Sequence, residues 1–190
     1  VISGRPAEGE FASYAKSDID YVTGDDAAGV LTAQGEQVAA LLASLDEETI
    51  RGLRYAPGKW TVKEVIGHLI DDERIFAYRA LCVARGDTRP LPGFEENDYV
   101  AATDFESRPL ANLLAEYRAV RAATLTLFES LTAEEWLRRG IVNDYEASVR
   151  GLAFHMAGHE LHHLRTLRER YIGALASAPA GRAPSRRPAG

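Results

Sequence analysis

Residues 155–167 read HMAGHELHHLRTL and hold four of the chain's five histidines within nine positions. The stretch contains a literal H-E-x-x-H, from His159 and Glu160 to His163. On a helix that string is the signature of zinc metalloproteases, with the outer histidines on the metal and the glutamate as general base. The alternative is a bundle helix that holds a metal for another purpose, and the projection of its side chains bears on the choice. An α-helix advances ~100° per residue. With His155 set at zero, Val149, Leu152, Met156, Leu164, Leu167 and Tyr171 form one apolar face between roughly 60° and 180°. His163 falls at ~80°, inside that face, and His159 at ~40°, on its edge. His155 and His162 lie further out, half-exposed or at most supporting the inner pair. Glu160 falls at ~140°, in the middle of the stripe, while Arg150, Arg165 and Arg168 take the opposite side. His159 and His163 therefore point inward one turn apart, with Cβ atoms about 5–6 Å from each other and one ion within reach of both at ~2.0–2.1 Å.

A protease of this type needs a third ligand downstream, a histidine after x-x-G-x-x or a more distant glutamate. After His163 the chain has no histidine and a single glutamate, Glu169, which projects ~120° away from His163. No stretch alternates convincingly enough to serve as a strand that would align a peptide. The protease reading fails. The remaining histidine is His68, in VKEVIGHLIDDERIF (62–76). It borders an apolar face made by Val62, Val65, Leu69, Phe76, Ala80 and Val83, just as His159 borders its own. Asp72 follows one turn later at ~40°, and Glu73 lies at ~140°, inside the stripe. Glutamates on core faces are expensive unless paired. Glu73 and Glu160 thus either hold ligand histidines from behind, as Asp72 would, or pair with arginines. Histidines ligate only when neutral, so three ordinary imidazoles should take up close to three protons per ion released as pH falls below about 6.

These segments sit in a chain that reads as helical throughout. A first helix spans about Ala27 to Leu45. A second opens at Thr61, whose capping box closes on Glu64, and stops at Gly86. A third follows Pro109, and a short one opens at the capping box Thr132/Glu135 and ends at Gly140. The last runs from about Ser148 to Ile172. Four long amphipathic helices imply an all-α, up-down four-helix bundle with short additional helices in the connections. The expected organisation is an N-terminal arm over 1–26, a metal-binding bundle over 27–172, and a disordered Ala/Pro/Arg tail over 173–190. Between the second and third helices, DTRPLPGFEENDYVAATDFESR (87–108) is long enough to be functional. If it lines a pocket over the histidines with Phe94, Asp98 or Tyr99, an enzyme is favoured. If it packs away, a non-catalytic metal-binding or stress-related bundle is.

The 190 residues, 46% hydrophobic and 26% charged, suit one domain. A net charge of −6 without a basic block argues against a nucleic-acid partner. No apolar run reaches the ~20 residues of a membrane helix, so no membrane partner is expected. The N-terminus has no apolar core of the secretory kind, and the single cysteine, Cys82, suits a reducing cytoplasm.

In this order, APGKWTVKEVIGHLIDDERIF (56–76) and GHELHHL (158–164) resemble the DinB/YfiT-like superfamily of four-helix-bundle metalloproteins. RPAEGEFASYAKSDIDYV (5–22), RPLPGFEENDYV (89–100) and GHELHHLRTLRERY (158–171) resemble one subgroup of it, and the likeness covers nearly all of residues 5–172. The resemblance implies a histidine triad of His68, His159 and His163 on a divalent ion, zinc or nickel, often in a homodimer. It also implies a small-molecule substrate, with a low-molecular-weight thiol as co-substrate in S-transferase relatives. Hydrolysis is the other reaction such a site would carry out.

Overall fold

The structure, a computed structural model, describes residues 4–173. Its frame is four helices: α1 (Ala27–Ala43), α2 (Val62–Ala84), α3 (Leu110–Glu129) and α4 (Val149–Thr166). Thr61 starts α2 by accepting from Glu64 N at 3.1 Å, while Glu64 Oε2 accepts from Thr61 N at 2.6 Å. Ser148 starts α4 in the same manner, accepting from Gly151 N at 2.9 Å. Past Thr166 the chain continues as π-helical turns over Leu167–Ile172. Among the described residues no helix is long and apolar enough to cross a membrane.

The four helices pack in a ring: α1 meets α3 and α4, and α2 meets the same two. The core divides along the bundle into two clusters. One gathers Leu31 from the start of α1, Phe76 and Val83 from the end of α2, Phe128 from the end of α3 and Phe154 from the start of α4. The other gathers Leu42, Val65, Leu113 and Leu164 from the opposite halves of the same helices. The helices therefore run up, down, down, up. Because α2 and α3 are parallel, residues 85–109 must travel the length of the bundle between them, and this crossover passes over the histidines. Full burial of a side chain such as Phe128 or Leu113 stabilises by roughly 1.5–3 kcal/mol, so the two clusters supply most of the driving force.

One feature departs from an all-helical reading. The helix after Thr132 spans Ala133–Leu137, and the chain then forms a hairpin, β1 (Arg139–Val142) with β2 (Tyr145–Ser148). Its two turn residues, Asn143 and Asp144, both have positive φ, the geometry of a turn that matches strand twist. The strands are four residues each and too short to show alternation. The hairpin holds the crossover: Leu91 N donates to Ile141 O, and Asn143 N donates to Leu91 O, both at 2.9 Å. The N-terminal arm adds Ala15, Ile19 and Val22 to the core. Its short helix Lys16–Ile19 lies so close on α4 that a Cβ at Gly158 would overlap the Asp18 carbonyl. Glu10 is buried and accepts from Arg150 at 2.6 and 2.7 Å. The tail expected over 173–190 lies, beyond Gly173, outside the described residues.

Candidate metal centre

Antiparallel packing of α2 on α4 sets His68 opposite the turn that carries His159 and His163. The three Nε2 atoms face one another, His159 being 3.3 Å from His68 and 3.1 Å from His163. One ligand atom from each residue lies within 4.8 Å of the others. A tetrahedral ion with bonds of ~2.0–2.1 Å spaces its nitrogen ligands about 3.3–3.4 Å apart, so the donor set fits one divalent ion. Of the other two histidines, His162 is exposed near the Tyr21 ring, and His155 sits edge-on to Phe76 and 3.7 Å from Asp18. Neither joins the cluster.

Asp72 is buried beside His159, its Oδ2 3.2 Å from Nδ1, at an angle short of a well-formed hydrogen bond. A proton on Nδ1 facing that carboxylate leaves the Nε2 lone pair free to face the other two histidines. Burial works against a charge on His159, but Asp72, with Asp18 and Glu96 further off, outweighs it and pushes the imidazole up to about 9. Burial also works against the Asp72 charge, and the same neighbour more than compensates, holding the carboxyl below its ordinary value. For His68, burial and then the charge on His159 depress the imidazole to about 4. His163 is driven well below the usual value for the same two reasons. Without metal, the cluster thus carries one proton near neutrality, on His159. Three ordinary imidazoles, each titrating near 6.5, do not describe it.

Glu73 and Glu160 take the arginine alternative. Arg121 of α3 is buried between them, donating to Glu73 at 2.9 Å and to Glu160 at 2.8 Å, while Tyr117 OH donates to Glu160 at 2.5 Å. Neither glutamate touches a histidine ring. The pattern of α3 offered no sign of Arg121, since one arginine among several on a helix looks like surface until its partners are placed.

Two cavities of about 330 Å³ each open on the cluster. The first reaches His163 past Trp60, whose ring lies 4.8 Å from His68 and nearly parallel to His163 at 6.4 Å. Tyr171 OH holds this wall by donating to Trp60 O at 2.6 Å. The second reaches His159 and is lined by Tyr14, Phe76, Arg79 and Phe94. Within the crossover, Phe94 lines a cavity, whereas Asp98 and Tyr99 line neither. Tyr99 is exposed and packs its ring on Phe94. Their place is taken by Glu96, which borders both cavities with Oε2 3.9 Å from His68 Nε2. The short helix Glu96–Ala101 turns Glu96 inward, and its register is invisible without the hairpin that anchors Leu91.

A bundle whose second and last helices bring three histidines together, bridged by a crossover between parallel helices, defines a class of helical metal-site proteins. The model of the DinB superfamily matches residues 30–167, and the chain belongs to that family. A Geobacillus thermodenitrificans (strain NG80-2) protein named "Putative metal-dependent hydrolase" is 27% identical over 103 residues, which is 54% of this chain and 57% of that relative's length. The chain thus spans little more than half of the curated relative that it matches. YfiT from Bacillus subtilis, described as a probable metal-dependent hydrolase with an unusual four-helix bundle topology, shares the fold. It superposes with a TM-score of 0.65 at 18% identity, covering 86% of this chain and 89% of that one.

Proposed function

We propose that the chain is a metal-dependent hydrolase acting on a small molecule, with one divalent ion, zinc or nickel, held by Nε2 of His68, His159 and His163. The observation that carries this reading is the convergence of the three Nε2 atoms at the mouths of two cavities. A closed structural site would use four protein ligands and leave no opening. When bound, such an ion supplies Lewis acidity, lowering the pKa of a water and polarising a carbonyl. The chain's own residues do the rest. Asp72 keeps the His159 lone pair directed at the cluster. Trp60 covers His68 and excludes water from that side. Glu96 stands where it can take a proton from a water in the open space beside His68, and burial raises its carboxyl, which brings its proton exchange nearer neutral pH. The names of the curated relative and of YfiT favour hydrolysis.

Transfer to a low-molecular-weight thiol would use the same open position, since a metal-bound thiolate is a nucleophile. The two reactions differ in whether turnover needs the thiol. The test is metal analysis of protein purified without added metal, followed by a screen of esters, amides and thiol-transfer substrates with and without chelator. Hydrolysis expects chelator-sensitive turnover without thiol, lost in His163→Ala. Turnover only with thiol would make the protein an S-transferase. Stoichiometric metal with no turnover on any class would return it to the non-catalytic bundle.

A further inference from the structure

Among the described residues two arginines are buried in the bundle, and only one of them forms an ion pair. Arg121 is held between two glutamates. Arg79 on α2 is just 6% exposed, yet among the described residues it takes part in no ion pair. Its one hydrogen bond runs from Nη2 to Pro92 O at 2.8 Å. The guanidinium lies 5.5 Å from the centroids of both Phe76 and Phe94, and it lines the cavity that ends at His159. A buried charge without a partner is expensive, and a five-donor group with one acceptor has donors left for a ligand. Four carboxylates share the cavity and none pairs with Arg79: Asp72, which acts on the guanidinium only through space, faces His159, Asp18 lies near His155, Glu95 caps its own short helix, and Glu96 faces His68.

We propose that the His159-side cavity is the substrate site and that Arg79 is its anion anchor, selecting small molecules that carry a carboxylate on an apolar body. The carboxylate would accept from the free guanidinium N–H groups, the body would lie against Phe76 and Phe94, and the reacting group would reach the histidines. A volume of about 330 Å³ is at the small end of ligand pockets. A dianionic phosphate is more strongly disfavoured than a single carboxylate, because Asp18, Asp72, Glu95 and Glu96 share the cavity with the single arginine. The assignment rests on the metal-enzyme reading only for where the reacting group lies; the anchoring itself needs no metal.

Benzoate, benzamide and inorganic phosphate serve as probes, titrated into the full chain in zinc-loaded and chelator-stripped forms and followed by ligand NMR. Benzoate is expected to bind both forms with a dissociation constant on the order of a millimolar. Benzamide and phosphate should bind far more weakly. Arg79→Gln should weaken benzoate by roughly tenfold to a hundredfold, and Arg79→Lys by less. Should Arg79→Gln fail to fold, the wild type decides: benzoate, but not benzamide, should slow the modification of Arg79 by phenylglyoxal, mapped by peptide mass. Equal binding of benzoate and benzamide, an absence of protection, or benzoate binding that requires zinc and ignores Arg79→Gln would overturn the anchor. Failure of zinc to bind while benzoate still does would sink the metal reading and leave the anchor standing.

Discussion

His159 and Glu160 are neighbours on α4, yet they face two polar clusters of opposite character. Glu160 enters a closed one, where Arg121, Glu73 and Tyr117 satisfy one another and Arg121 Nη1 donates to Leu31 O at 2.5 Å. His159 enters an open one, where three ring nitrogens converge beside two cavities. In the closed cluster each charged group has a partner within it, so its work is to lock α1, α2, α3 and α4 in register. The open cluster is satisfied only by something from outside. Burial and polarity are common to both, and the difference is whether the hydrogen-bond inventory closes.

The largest expected effect lies in the closed cluster. Arg121→Met leaves two buried glutamates without their cation and should lower the unfolding free energy by about 3–5 kcal/mol, read by chemical denaturation. A loss under about 1 kcal/mol would mean that the cluster is not the lock. In the open cluster, Asp72→Asn removes the charge behind His159 and should weaken zinc by roughly 10–100-fold while leaving the fold intact. Unchanged affinity would mean that Asp72 is merely a buried neighbour.

The third effect is a proton count. With His159 raised to about 9 and His68 depressed to about 4, the metal-free cluster holds one proton from pH 6.5 to 8. A ligand must be neutral, so zinc displaces that proton, and affinity should rise about tenfold per pH unit toward 9. The same shift fixes the sign for the metal-free fold. The His159–Asp72 pair stabilises it fully below the ordinary histidine pKa of ~6.5, and that contribution is lost as pH rises through about 9. Calorimetry in buffers of different ionisation enthalpy should find about one proton released per ion at pH 7.5; only about 0.3, the count for three independent imidazoles titrating near 6.5, would mean that the cluster is not coupled.

The two clusters differ also in how well the sequence announces them. Helical spacing placed His159 and His163 on an inner face, and the matching position of His68 on its own helix brought it into the set. Capping at Thr61 marked where one ligand helix begins, and the apolar pattern put the start of the other near Ser148. Arg121 was silent, because helical projection tells which face a residue takes but not what stands opposite. For the same reason it could not tell that α2 and α3 run parallel. The crossover was the least legible part. Without the Asn143–Asp144 turn and its bonds to Leu91, nothing in RPLPGFEENDYV says that Glu96 turns inward and Asp98 and Tyr99 do not.

The most direct test is the zinc stoichiometry of chelator-stripped protein and its five single His→Ala variants, by titration calorimetry at pH 7.5. His68→Ala, His159→Ala and His163→Ala should each lose the single high-affinity ion, while His155→Ala and His162→Ala bind one ion per chain as the wild type does. Equal loss in all five variants, or full binding in any of the first three, would contradict a centre built on those three nitrogens.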